Sequence, residues 1–217
     1  MNLKELVTRT MIEAGIPTAT FVAGGVAAAS GEALRVVGWV QGAYNDIQTR
    51  RKWHFMWENV SITVPAGSFV VPAATVGAVQ ADRYEKDSLF DAYGANFGYI
   101  SWADFRSAFP AVLIFSGTPS LWTIRPDGAF VVNAKPTADS TYTVDRYMRP
   151  QVMEADADEP ILPTEFHLAI VWRALLLYCN FEEAGISRAT AQVEYDRLMN
   201  AMGGQLLPDM IPAAPLA

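Results

Sequence analysis

The sequence predicts an α+β protein: a four-helix-bundle-like helical domain that carries an inserted antiparallel β-sandwich or barrel domain and ends in an extended C-terminal tail. Three observations predict it. Apolar residues recur at helical spacing in two stretches before residue 53; the period changes to two between residues 58 and 150; helical spacing returns after residue 164 and gives way to a short apolar tail. A helix pair interrupted by a β block and then completed is the pattern of a β domain inserted into a loop of a helical bundle. The predicted limits are 1–57 and 151–202 for the two parts of the helical domain, 58–150 for the β domain and 203–217 for the tail.

Leu3, Leu6, Val7, Thr10, Met11 and Ala14 line one face of a first helix, which Gly15 and Pro17 stop. Thr18 to Gly31 is rich in Ala, Gly and Thr and reads as a flexible connection or a weak helical turn. A second helix runs from Ser30 to Lys52, with Val36, Val37, Val40, Ala43, Tyr44 and Ile47 on one face and Arg35, Gln41, Asn45, Asp46 and Gln48 on the others. Val60, Ile62 and Val64 then alternate with Ser61 and Thr63 up to a turn at Pro65-Ala66-Gly67. Further strands are predicted at Phe69 to Val71, Val79 to Tyr84, Val112 to Phe115, Leu121 to Arg125, Ala129 to Val132 and Tyr142 to Tyr147. Pro126-Asp127-Gly128 joins two of them as a hairpin, since proline presets φ and glycine tolerates its positive values. One interruption is helical: Trp102, Phe105 and Phe109 share a face, and Ser101 stands three residues before Asp104 as in a capping box.

Gln151 to Leu162, acidic and closed by Pro160 and Pro163, reads as an extended return strap between the domains. A third helix, Thr164 to Glu183, is apolar on almost every side and therefore central. A fourth, after Gly185, carries the stripe Ala191, Tyr195, Leu198, Met199 and Met202 and is expected to stop at Gly203-Gly204. The tail beyond it sets Leu206, Leu207, Met210, Ile211 and Leu216 among three prolines. Such a segment cannot form a helix of any length and is too apolar to be left in water, which suits it to a groove of another subunit.

Composition narrows the function. With 217 residues, 51% of them hydrophobic, the chain can fill one large or two small cores. A net charge of −7, from 16 Lys and Arg against 23 Asp and Glu, disfavours a tight grip on phosphate backbones. The single cysteine, Cys179, leaves no intrachain disulfide and no cysteine zinc site, as expected of a reduced compartment. The first residues are amphipathic and charged, unlike a secretory signal, and the longest apolar run, Leu168 to Cys179, is broken by Arg173 and too short for a bilayer. A soluble protein with no membrane partner is expected.

No catalytic signature is present. Gly24-Gly25 lacks the lysine and hydroxyl of a phosphate loop, and Ser116-Gly117-Thr118-Pro119 reads as a turn rather than a nucleophile elbow. His54 and His167 are far apart and each lies beside bulky apolar residues, so they read as core or boundary histidines rather than a ligand or base. Glu154, Asp156, Asp158 and Glu159 could offer oxygens to a hard cation, but the glycine and closing glutamate of a calcium loop are missing and a solvated linker is the favoured reading. No cofactor, no metal and no enzymatic activity are expected. Arg50, Arg51 and Lys52, followed by Trp53, Phe55 and Trp57, read either as a contact at the junction of the domains or as a cation-rich helix end followed by core aromatics. Trp39, Tyr44, Trp172 and Tyr178 are read as core.

The helix segment Trp39-Val40-Gln41-Gly42-Ala43-Tyr44-Asn45-Asp46-Ile47-Gln48, followed by Trp53-His54-Phe55, resembles the second-helix signature of tailed-phage head-to-tail adaptors of the tail tubular A and gatekeeper type. Gly117-Thr118-Pro119, the turn at Pro126 to Gly128, Lys135-Pro136 and Tyr142 to Tyr147 are similar to that family's β domain, and Leu162-Pro163-Thr164-Glu165-Phe166 to the start of its third helix. The resemblance implies a virion protein at the head-tail junction, assembled in the host cytoplasm as a ring of about a dozen copies. Its implied partners are the portal protein, a tail nozzle or tail-tube component and neighbouring copies of itself, with genomic DNA only passing through. Leu206, Leu207, Met210, Ile211 and Leu216 are then candidate contacts to portal or neighbour, and Arg50, Arg51, Lys52 and Trp53 a candidate contact at the domain junction. The alternative is a glycan-binding or glycan-hydrolysing virion or surface module working through exposed aromatics and paired carboxylates of the β domain.

Overall fold

The computed structural model describes residues 1–77, 79–110, 115–182 and 185–207. The chain divides into two compact units, Met1–Met56 with Pro150–Ala217, and Trp57–Arg149.

The first unit is helical. Helix α1 (Leu3–Glu13) starts in a reciprocal capping box: the Asn2 side chain accepts the Glu5 N–H, and the Glu5 carboxylate accepts the Asn2 N–H. The segment after it holds a short α2 (Ala19–Gly24) and a 3-10 turn (Val26–Ala28). Then come α3 (Gly31–Arg50), a 3-10 turn (His54–Met56) and, after the strap, α6 (His167–Glu182) and α7 (Gly185–Gln205). Helix α6 packs against α1, α3 and α7, and α1 against α3. The buried faces follow the apolar spacing: Leu3, Leu6, Val7, Thr10 and Met11 on α1; Val36, Val37, Val40, Ala43, Tyr44 and Ile47 on α3; Ala191, Tyr195, Leu198, Met199 and Met202 on α7.

Two expectations for this unit are corrected. Helix α7 does not stop at Gly203-Gly204 but continues through both to Gln205. Gln48 lies inside rather than on an outer face of α3, because its amide binds both backbone groups of Gln151: Nε2 donates to the Gln151 oxygen at 3.0 Å and Oε1 accepts the Gln151 N–H at 2.7 Å. The strap is stitched to the helices in the same way. Its Asp158 and Asp156 carbonyls accept the Leu3 and Lys4 N–H groups, which the first turn of a helix leaves without intrahelical partners. The Tyr44 hydroxyl donates to Gln151 Oε1 and accepts the Ile161 N–H, and Gln41 Nε2 donates to the Met153 oxygen.

The second unit holds β1 (Trp57–Val64), β2 (Val70–Val71), α4 (Ala73–Val76), β3 (Phe90–Asp91), β4 (Gly98–Tyr99), α5 (Trp102–Ala108), β5 (Leu121–Ile124), β6 (Phe130–Val132) and β7 (Ser140–Tyr147). They form a three-stranded sheet ordered β1-β7-β3 and a four-stranded sheet ordered β2-β6-β5-β4. The long pair runs antiparallel from Trp57 opposite Tyr147 to Val64 opposite Ser140. Ile62 and Val64 face inward from β1 and Tyr142 and Val144 from β7; they share one core with Trp122, Ile124, Phe130 and Val132 of the other sheet. Trp122 is its centre, with Tyr84, Tyr99 and Phe130 around its ring and its Nε1–H donated to the Phe97 oxygen. The β5–β6 hairpin turns at Pro126-Asp127-Gly128, where Gly128 has φ +84° and Asp127 Oδ1 accepts the Ala129 N–H.

Among the described residues neither sheet closes into a barrel, and the pairing is not wholly antiparallel, since β4 runs parallel to β5. Val79 to Tyr84 is not a strand: the Arg83 and Tyr84 N–H groups are spent locally on Gln80 and Ala81, making a 3-10 turn at Ala81–Arg83. Most of the strand expected at Val112 to Phe115 lies outside the described residues. Helix α5 is as expected, with Ser101 capping the Asp104 N–H.

Candidate functional site

In the helical unit, the ends of α3 and α7 meet, and the basic run meets the root of the tail. Helix α3 ends at Arg50 because Arg51 turns to extended backbone, and cations after a last helical turn suit its negative dipole end. Arg50 Nη1 donates to the Tyr195 hydroxyl at 3.1 Å, with its guanidinium 5.9 Å from that ring's centroid. Arg173, ion-paired with Asp46 at 2.7 Å, lies 6.0 Å from the same centroid. Arg51 is exposed; its guanidinium stands 5.9 Å from the Trp53 ring, and its Nη1 lies 3.1 Å from where a Cβ on Gly203 would be. Lys52 is also exposed. The His54 N–H then donates to the Leu206 carbonyl at 2.8 Å, while the Leu206 N–H continues the helix to Met202.

Of the residues singled out from the sequence, the structure therefore brings together Arg50, Arg51, Trp53 and Leu206. Leu206 and Leu207 are half-buried; Met210, Ile211 and Leu216 lie outside the described residues. Trp53 is fully buried, donates Nε1–H to the Ile47 oxygen at 2.6 Å and stacks on Phe55, so it holds the turn and presents no surface of its own. Trp57, a core aromatic in one of the two readings of this run, is 46% exposed. Trp39 and Tyr178 are half-buried rather than core, and with exposed Phe181 and the Arg35 guanidinium over it they make an aromatic patch on α3 and α6.

Among the described residues, His167, Cys179 and the strap carboxylates Asp156 and Asp158 are buried or engaged. His167 is buried with Nε2–H on the Leu162 oxygen, and burial holds it below its ordinary value of 6.5. Burial pushes the Cys179 thiol up, away from the reactive thiolate. His54 is exposed. In the acidic strap, Asp158 accepts the Glu154 and Ala155 N–H groups, which hold its carboxyl below the usual range, and Asp156 accepts the Val26 N–H and pairs with Lys4 at 3.7 Å. These carboxylates tie the strap down rather than standing as a solvated linker. Among the described residues, no group of three or more His, Cys, Asp or Glu could hold a metal ion, and no helix is long and apolar enough to cross a membrane.

Two open grooves on the β unit are lined by described residues. One, of about 490 Å³, is lined by Phe69, Trp102, Phe105 and Phe109 with Arg106 and Arg125. The spacing of Trp102, Phe105 and Phe109 places them on one face but does not show the groove, which arises where that face meets β2 and β6. The other, of about 370 Å³, holds Asp91, Tyr93 and Asp139. Tyr93 is 95% exposed, whereas Asp91 accepts the Tyr93 and Ala95 N–H groups and Asp139 the Ala66 N–H.

A family model described as SU10 adaptor protein matches residues 1–215. No curated protein matches the chain.

Proposed function

The chain belongs to the SU10 adaptor protein family, a family of phage structural adaptors, and from this premise we propose that it is the head-tail adaptor of a tailed phage. In this reading, copies form a ring, dodecameric as in the tail tubular A and gatekeeper type, that docks beneath the portal, prolongs the DNA channel and carries the tail. The single observation that carries the reading is the extent of the match, which takes in both units and nearly all of the tail. The net charge of −7 supports it, because a channel through which DNA slides must not hold phosphates. So does the anchored root of an apolar tail beside exposed Arg51 and Lys52.

The helical unit and tail are assigned to the portal or a neighbouring copy, and the β unit to the next tail component, a nozzle or tube. Assembly takes place in the host cytoplasm and the product is part of the virion. We assign no catalytic activity. The test is to mix the purified chain with the portal protein of the same phage and separate the mixture by size exclusion: co-migration is expected. A folded chain that does not co-migrate contradicts the reading and favours a glycan-directed module built around exposed Tyr93, for which sugar binding or reducing-sugar release is the assay; release is expected to be nil.

A further inference from the structure

We propose that residues 208–217 of one copy lie in the Trp102–Phe105–Phe109 groove of the next copy, so that tail and groove form the head-to-tail joint of the ring. This rests on the adaptor reading above and names the joint it requires. Trp102 and Phe105 of α5 and Phe109 at its C-terminal cap follow one another along one face, with Trp102 stacked on Phe105 at 6.0 Å and Phe105 against Phe109 at 5.2 Å. Phe69, Val70, Pro110 and Val131 add to the apolar lining. At the rim, Arg106 is exposed and has no ion-pair partner among the described residues, whereas Arg125 is shared between Asp127 at 3.0 Å and the Trp102 ring.

The segment beyond Leu207 has the complementary chemistry. Pro208, Pro212 and Pro215 remove backbone donors and fix φ, so the segment is a poor strand partner and has less freedom to lose on docking. Aromatic-lined grooves recognise proline-bearing extended segments in this way. Met210, Ile211 and Leu216 supply the apolar anchors, and Asp209, its only charged side chain, is opposite in sign to Arg106. At about 3.1 Å per residue, Met210 to Leu216 would reach about 19 Å, enough to cross α5, which is about 10 Å long. The groove lies on one unit and the tail root on the other. A contact between two different surfaces of the same chain repeats from copy to copy and builds a ring when its rotation closes, as the adaptor reading requires, whereas a two-fold pairing would stop at a dimer.

The joint is tested in the full chain with Leu216 replaced by a benzophenone-bearing phenylalanine, using an equal mixture of ordinary and nitrogen-15 chains irradiated and mapped by mass spectrometry. Mixed-isotope crosslinks to Trp102–Pro110 or Phe69–Val70 are expected. Arg106→Glu, at an exposed position, should lower their yield about three- to fivefold, the size of one exposed charge pair, and Asp209→Lys added to it should restore them. Crosslinks within one chain, to other surfaces, or none at all would overturn the joint. A chain that co-migrates with portal but gives no mixed-isotope groove crosslink loses this proposal and keeps the adaptor reading; crosslinks without portal co-migration do the reverse.

Discussion

The backbone N–H of His54 and the carbonyl oxygen of Leu206 lie 2.8 Å apart in a hydrogen bond, so the tail leaves α7 fixed against the turn that follows α3. Deleting residues 208–217 keeps this bond, and the thermal midpoint should stay within about 1 °C of the intact chain. Deleting 206–217 strands the His54 N–H, at a cost of about 1 kcal/mol and about 2–4 °C. Both truncations should lose co-migration with portal. Circular dichroism melts and size exclusion check the pair; a chain ending at Leu207 that still co-migrates removes the tail from the contact.

Gln48 is the buried polar residue on which the strap depends. Gln48→Leu leaves the Gln151 N–H and carbonyl without their amide partner, which should cost about 2–4 kcal/mol and lower the midpoint by roughly 5–10 °C. Urea unfolding measures it. A change under 1 kcal/mol, or about 2–4 °C, would mean that the strap's backbone finds other partners.

His167 is expected to lower the chain's stability on the acid side. Burial depresses its folded value below 6.5, while the hydrogen bond to Leu162 opposes the shift. The unfolded chain therefore binds the proton more readily. The stability contributed by neutral His167 is full above pH 6.5 and falls as pH drops below it towards the folded value. His167→Gln, which can still donate to the Leu162 oxygen, should flatten the stability curve in that window. Denaturant midpoints measured at a series of pH values decide it, and an unchanged slope would assign the acid-side loss to other groups.

Gly25 has φ +70°, and a Cβ there would collide with the Asp156 carboxylate. Gly25→Ala should therefore cost about 2 kcal/mol. Asp156→Ala removes the colliding carboxylate together with its bond to the Val26 N–H, so the double variant should be more stable than the sum of the single losses. Because Asp156 and Asp158 are already held by backbone N–H groups, millimolar calcium should leave the midpoint unchanged. Additive losses or a calcium-dependent rise would contradict this description of the strap.

The reach of the sequence differs from element to element. Apolar spacing on α1 and α3, the cap at Ser101 and the turn at Pro126-Asp127-Gly128 were legible because each is a local rule that packing obeys. Gln48 was sorted by polarity alone, and only the folded strap makes its burial favourable. The glycine pair at 203–204 was a stop signal worth about 1 kcal/mol per residue; packing up to Met202, the Leu206 N–H on the Met202 oxygen and the Arg51 guanidinium beside Gly203 override it. Strands β3 and β4, of two residues each, are too short to show a period. The basic run and the tail were each visible, but their meeting at His54 and Leu206 joins backbone atoms remote in sequence, and no local pattern marks it.

The adaptor assignment is tested most directly by electron microscopy of the complex isolated from a mixture of the intact chain and the portal protein of the same phage. A closed ring of this chain stacked coaxially on the portal, with an open central channel, is the predicted image. Portal rings without added density, beside an intact and folded chain, would contradict it.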